Sequence, residues 1–432
     1  MFSTSGYKTF SKIAWNLATI PDLTKLCLSS IVKNFANNPV LKDLLPQHQS
    51  KVLEELDVRL PLSVTANLIE DQGYWKRCFI SSWGIADESL YDHDWKRMYF
   101  EKNLEGHIEN FIPGTTDPSL LNETLKLSGK FIKRLEIKQL LPPIKVPQQN
   151  LNDSFSDCES DSEDNVFVGD HFDINILVKF VPCLNELSLY YGVQKCGMNF
   201  EWNLFEFTMR DCSLLAKALP LFSQLTLFQL CKSKVDDVKA RVIIKSIIDH
   251  PTLKTLDFSH NKLGDKSARA IGKLLNNHSH LVKLDLKDNH ISGAGAAAIA
   301  YAIELNSTLK FLNLQLNQLQ DSGCQSICKA LLINQTLTHL HLGSNGISEV
   351  SIDLLCQVVL HNKTLLSLNL SCNSIKEKAG ISLQEALMDN SSLVDLDLRL
   401  CDVSIYCLYN INQHLKANSE KKKERYIKQF TY

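Results

Sequence analysis

Several stretches carry residue types that do chemistry in other proteins. Gly293-Ala294-Gly295-Ala296-Ala297-Ala298 has the small residues of a turn through which a helix N-terminus can hold a pyrophosphate. Such a site also needs a carboxylate on a following strand to take the ribose, and none stands there. Gly295 recurs as Gly323, 28 residues on, so the glycine belongs to a repeated turn rather than to a cofactor. His339 and His341 alternate, so on a strand both imidazoles face one way, a spacing that can grip a metal. The flanking candidates, Asn313 and Asn369, are poor zinc ligands, and the pair reads as polar surface. Residues 151 to 165 alternate serine with Asp153, Asp157, Glu159, Asp161, Glu163 and Asp164. Ser156 and Ser160 each have a Glu three residues on, a pattern for acid-directed phosphorylation. Lys421, Lys422, Lys423, Arg425 and Lys428 make a basic run that could meet acidic tubulin tails or nucleic acid, or simply be solvated. No phosphate-binding loop, nucleophile elbow or His-Glu-x-x-His motif occurs. The residues predict no enzyme and no catalytic, cofactor or metal site.

What positions these side chains is a repeat. Leu253-x-x-Leu256-x-Phe258-x-x-Asn261-x-Leu263 returns after 28 residues from Leu281, and again from Leu309, Leu337, Leu365 and Leu393. Leu225, Phe228, Leu230 and Val235 give one more copy, with Ser233 in the Asn slot. This is a leucine-rich-repeat array. In each unit Leu256 and Phe258, or their equivalents, alternate with polar residues, the period of a short strand with one buried face. Asn261 then turns the chain and offers its amide to backbone groups that would otherwise lack partners. Ala268, Ile271, Leu274 and Leu275 follow at helical spacing, and recur as Ala296, Ile299, Ala302, Ile303 and as Cys324, Ile327, Ala330, Leu331.

The expected fold is α/β: a ribonuclease-inhibitor-like solenoid of 28-residue βα units. Strands sit about 4.8 Å apart and helices need about 8–10 Å, so the stack must bend with its parallel sheet on the concave side. The outward strand positions then form the candidate partner-binding surface: Thr255, Asp257, Lys283, Asp285, Lys287, Phe311, Asn313, His339, His341, Asn369 and Asp397. A buried scaffold does not ask for this polar ladder. Phe311 is a large aromatic placed toward solvent, the kind of residue that anchors interfaces.

Around the array the chain divides by composition. Residues 1–40 hint at a helix through Ile13, Trp15, Leu17, Ile20, Leu23 and Leu26. Residues 41–125 read as a small helical module with Trp75, Trp83 and Trp95 in its core. The pairs Lys76-Arg77 and Lys96-Arg97 are expected to point outward from its helices. Residues 126–220 hold degenerate capping repeats, with strand phrases at Leu135 and Leu187, an insertion near Phe200 to Phe207, and an acidic disordered loop at 148–168. The array fills 221–418, and 419–432 is a basic tail. A net charge of −2 argues against nucleic acid or an anionic membrane as a general partner. No run approaches a membrane span, and Met1 to Ile20 has no signal-peptide core. The 13 cysteines follow no framework spacing, which points to reduced thiols inside a cell.

Three N-terminal phrases carry a resemblance. Leu45-Pro46-Gln47-His48-Gln49-Ser50-Lys51-Val52-Leu53, Arg59-Leu60-Pro61-Leu62-Ser63-Val64-Thr65-Ala66-Asn67-Leu68-Ile69 and Phe111-Ile112-Pro113-Gly114-Thr115-Thr116-Asp117-Pro118 resemble the t-complex-associated testis-expressed family, subunit five of the dynein regulatory complex. The resemblance implies a non-enzymatic component of the nexin link in motile cilia and flagella, located in the cytoskeleton of the axoneme. It implies assembly with other regulatory-complex subunits, direct or indirect contact with doublet microtubules, and a role in flagellar and sperm motility. It implies no cofactor, no nucleic acid and no membrane partner. A second reading takes Leu60-Pro61-Leu62 and the Trp-Lys-Arg helices as an F-box-like substrate adaptor of a ubiquitin ligase. A third, a GTPase-activating repeat protein, lacks the exposed Arg-bearing or acidic edge it would need.

Overall fold

The computed structural model describes residues 22–85, 88–143, 170–194, 196–198, 202–275 and 279–430. The expected acidic loop and its two serines, and the segment before Asp22, lie outside the described residues. The chain forms two compact units, Met1–Tyr99 and Phe100–Tyr432. This division falls well before residue 125, where composition put the end of the helical module.

The first unit holds α1 (Leu23–Asn34), α2 (Pro46–Glu55), α3 (Leu62–Thr65), α4 (Gln72–Trp83) and the start of α5 (Trp95–Glu109). Pro46 opens α2, where its missing N–H costs nothing, and Asp71 caps α4 by accepting from the Tyr74 amide. Phe35, Val52, Leu56, Ile69 and Trp75 are fully buried. Trp75 satisfies its indole N–H on the Ile69 carbonyl at 3.0 Å. Trp83 is 43% exposed, so it rims the core rather than filling it. The basic residues do not all point outward. Lys96 is 2% exposed and its Nζ lies 2.7 Å from Glu70. Lys76 lies over the Trp95 ring at 4.8 Å, and Arg77 donates to the Leu56 carbonyl at the end of α2. The aliphatic stems of these residues cover aromatic surface that the small core leaves open, and outward helical spacing alone does not reveal that.

The second unit is the repeat array. Its elements begin with α6 (Pro118–Ser128), β1 (Arg134–Ile137), α7 (Asn175–Phe180), β2 (Glu186–Leu189), α8 (Met209–Ala218), β3 (Leu227–Leu230) and α9 (Asp237–Ile247). They continue with β4 (Thr255–Asp257), α10 (Asp265–Leu274), β5 (Lys283–Asp285), α11 (Gly293–Leu305), β6 (Phe311–Asn313) and α12 (Gln320–Ile333). The array closes with β7 (His339–His341), α13 (Ile352–His361), β8 (Ser367–Asn369), α14 (Lys376–Met388), β9 (Asp395–Asp397) and α15 (Ile405–Phe430). The nine strands form one parallel sheet in chain order, and Leu135, Leu187, Phe228, Leu256, Leu284, Leu312, Leu340, Leu368 and Leu396 stand in register. All nine are buried, which pins the register because a one-residue slip would turn the whole row outward.

Both ends of the array are closed. At the first edge, α5 sets Glu101, Glu105 and Glu109 one turn apart on one face. Glu101 accepts from the Lys133 and Arg134 amides at 2.8 and 2.9 Å, Glu105 from Glu136 at 2.8 Å, and Glu109 from Lys138 at 2.7 Å. Three carboxylates thus occupy the unpaired N–H row of β1, the edge through which another strand would otherwise add. At the far end, α15 runs to Phe430 and takes in the basic run. Its sequence holds neither Gly nor Pro, and nothing ends the helix at residue 419.

Candidate functional site

Each strand is held at its end by two polar columns. In the first, Asn261, Asn289, Asn317, Asn345 and Asn373 are buried. Asn261 donates from Nδ2 to the Leu230 and Phe258 carbonyls at 2.7 and 3.0 Å, while its Oδ1 accepts from the Ser233 and Val235 amides at 3.0 and 3.1 Å. Asn289, Asn317, Asn345 and Asn373 repeat the pattern one unit on each time. Ser233 holds the same slot by accepting from the Tyr191 amide at 3.0 Å, and the Cys401 thiol donates to the Leu370 carbonyl at 3.1 Å. The residue before each of these, from Lys232 and His260 to Leu400, lies at φ between 50° and 59°. The turn therefore carries left-handed strain that the Asn bonds hold in place.

The second column is the middle of the candidate surface. Asp257, Asp285, Asn313, Asn369 and Asp397 each accept, through Oδ1, the amide two residues on, at 2.8 to 3.1 Å. The polar ladder that a buried scaffold did not require thus has a local duty, the side-chain turn that ends each strand. Its members also bond across the sheet: Gln229 donates to Asp257 at 3.1 Å, Asn313 to Asp285 at 3.0 Å, and Asn369 to Asp397 at 3.1 Å. Asn313 is buried, so it contributes little area to any partner.

The flanking positions are different. Thr255, Phe311 and His339 stand in one register row with exposed Lys283 between the first two. The Lys283 Nζ lies 4.9 Å from the centre of the Phe311 ring, and the His341 and His339 rings lie 5.0 and 6.2 Å from it. Thr338 bonds His339 Nδ1 at 2.8 Å. Lys287, half-buried, extends the cationic side toward the strand end. Burial holds the His341 imidazole below its ordinary range, so near neutral pH a neutral imidazole stands with the Phe311 ring and the Lys283 and Lys287 side chains. Carboxylates stand on both sides, at Asp257 and Asp285 and at Asp395 and Asp397. The cluster thus sets an apolar ring and charged groups side by side. Among the described residues no group of three His, Cys, Asp or Glu could hold a metal ion.

Asp285 bears a cost of this arrangement. Burial and the neighbouring Asp257 push its carboxyl above 3.8, despite the Lys287 amide that favours the charged form. A raised carboxyl pKa means the folded state binds the proton more tightly, so this contribution to stability is lost as pH rises through the folded value. Asp285→Asn is therefore expected to flatten the fall of the unfolding midpoint between about pH 3 and pH 7, because the amide removes this titration, while losing the Asn313 bond at either pH. Thermal unfolding across that range checks it.

The helix N-termini are already occupied. Asp265 accepts from the Ser292 and Gly295 amides at 2.9 and 3.0 Å, so the opening of α11 holds a side-chain carboxylate where a pyrophosphate would sit. Asp237 and Asp321 do the same one unit before and two units after. A Cβ on Gly295 would lie 2.5 Å from the Asp265 carboxylate, which accounts for the glycine. A further column, Asn306, Asn334, Asn362, Asn390 and Asn418, closes the helix C-termini. These carboxylate and asparagine columns share the 28-residue spacing and were there to be found by it.

The fold and its columns define a leucine-rich-repeat protein. A family model described as Leucine Rich repeat matches residues 249–272, 277–300, 305–328, 334–356 and 361–383. Over 247 residues the chain is 49% identical to Dynein regulatory complex subunit 5 of Mus musculus and 47% identical to that of Homo sapiens. These alignments take in 57% of this chain and 50% and 49% of the relatives. Dynein regulatory complex subunit 5 of Chlamydomonas reinhardtii is 29% identical over 224 residues, 52% of this chain and 50% of that protein. The chain is a homologue of these subunits, and it spans about half their length. No relative supports the ubiquitin-ligase adaptor.

Proposed function

We propose that this chain is a non-enzymatic structural and regulatory subunit of the dynein regulatory complex of motile cilia and flagella. Its array holds other subunits of the complex on its sheet face, through Phe311, Lys283 and the His339–His341 pair, with Thr255, Asp257 and Lys287 around them. It thereby supports the control of dynein-driven sliding between doublet microtubules, including that of sperm. The observation that carries this reading is the 49% identity over 247 residues to a protein named for that complex. The sheet face adds a surface of the right kind, with an aromatic anchor and no reaction chemistry around it.

Localisation of the tagged chain in a ciliated cell tests the reading. An axonemal signal that disappears when the regulatory complex is absent is the expected result. A signal that stays diffuse in the cytosol or nucleus of a cell with intact cilia would overturn it.

A further inference from the structure

The helical side of the array carries a feature that the sheet face does not explain. Arg241 and Lys245 stand one turn apart on α9, and Lys266, Arg269 and Lys273 line one face of α10. All five are exposed, and none has an ion-pair or hydrogen-bond partner for its side chain among the described residues. Some cations elsewhere on this unit are paired, as in Lys239 with Asp236, Lys376 with Glu349 and Arg399 with Asp397. The carboxylates that begin these helices are engaged: Asp237 by the Gly264 amide and Asp265 by Ser292. The next exposed carboxylates, Asp249 and Glu304, come only at or after the helix ends.

Apolar grooves run between these cations. One, of about 570 Å³, lies between α10 and α11, with Gly272 and Ala298 at its floor and Tyr301 and Leu305 in its wall. A Cβ on Gly272 would lie 3.0 Å from the Ala298 carbonyl oxygen, so the glycine lets the two helices approach there. Tyr301 is 70% exposed and Leu305 59% exposed. A second groove of about 540 Å³ lies between α9 and α10 along Val242 and Arg241. Lys273 borders both, which joins them into one surface.

We propose that the outer face of α9 to α11 binds an acidic segment of a partner protein that also carries aliphatic or aromatic side chains. The unpaired cations supply charge complementarity, and the grooves take the apolar side chains between them. Nucleic acid fits less well. Its bases would need a row of aromatic platforms, and the face offers Tyr301. The site lies on the helices and uses no residue of the sheet face, so both can be occupied together and either reading can fail alone.

Fluorescence anisotropy on the purified full chain tests it, with a short labelled peptide of Glu and Leu, the same peptide with Ser for Leu, and an oligouridylate. The Glu–Leu peptide is expected to bind best. Arg269→Glu with Lys273→Glu should weaken it by about tenfold or more, with circular dichroism and unfolding midpoint unchanged. Tyr301→Ala should weaken the Leu-bearing peptide and leave the Ser-bearing one unaffected. Equal binding by the charge-reversed chain would overturn the proposal. So would tighter binding of the oligouridylate, or self-association of the chain through this face that excludes the peptide.

Discussion

Asn261→Ala is expected to destabilise the array by about 4 kcal/mol, far more than removal of a surface polar group. The side chain is 7% exposed and makes its bonds only to backbone. Removing it strands the Ser233 and Val235 amides and the Leu230 carbonyl, each costing about 1–3 kcal/mol when buried without a partner. Two other carbonyls keep a donor: Phe258 still accepts from Asn289 at 3.0 Å, and Ser259 from the Lys232 amide at 3.3 Å. Those two limit the loss. Asn261 also braces a left-handed residue, His260 at φ 58°, so the turn loses its hold as well as its bonds. Chemical unfolding of the variant beside Lys262→Ala, an exposed neighbour expected to stay within about 0.5 kcal/mol, checks the figure. Since repeats are stabilised by their neighbours, the variant should also split one transition into two.

The second large effect is at the first edge. Glu101→Ala should cost about 3 kcal/mol and make the chain associate at concentrations where the parent stays monodisperse. Glu101 is fully buried and its Oε1 takes two backbone amides of the first strand segment. Hydrogen bonds to a charged acceptor are worth about 1.5–3 kcal/mol each. Without them two amides at the start of β1 are left part-buried with no acceptor, and α5 loses its hold on the edge, which opens it to a passing strand. Glu109→Ala, which frees one exposed amide, should lose less and associate less. Unfolding midpoints and light scattering of the two variants, compared at equal concentration, separate stability from edge exposure.

These two sites differ in how far the sequence disclosed them. Asn261 sits in a phrase that recurs without a slip, and its role in the turn follows from the amide's donors and acceptor. Glu101, Glu105 and Glu109 stand at helical spacing, yet nothing local says that a strand edge waits beside them. That pairing is long-range, across about thirty residues of chain. The strands and helices of the array were legible because period two and period 3.6 alternate inside a fixed repeat. The inward turn of Lys96 was not legible, because Glu70 and the aromatic rings that draw it in come from distant segments. On the sheet face the residue types were legible, but the division of labour was not. Asp257, Asp285 and Asp397 spend one oxygen on their own turn, and spacing alone does not distinguish that from a ligand-binding ladder. No strand-end bond involves Phe311, whose ring instead meets Lys283, His339 and His341.

The division of labour also decides which variant tests the sheet face cleanly. Charge reversal at Asp285 would disturb the Lys287 amide and Asn313, so it confounds binding with folding. Lys283 and Phe311 touch each other and stand clear of the strand-end bonds. The most direct measurement is recovery of dynein regulatory complex subunits with the tagged full chain from ciliary extract, for the parent and for Phe311→Ala with Lys283→Glu. The account predicts that the double variant keeps its unfolding midpoint and loses most of the co-purifying subunits, by about tenfold or more. Undiminished recovery by a folded double variant would contradict it.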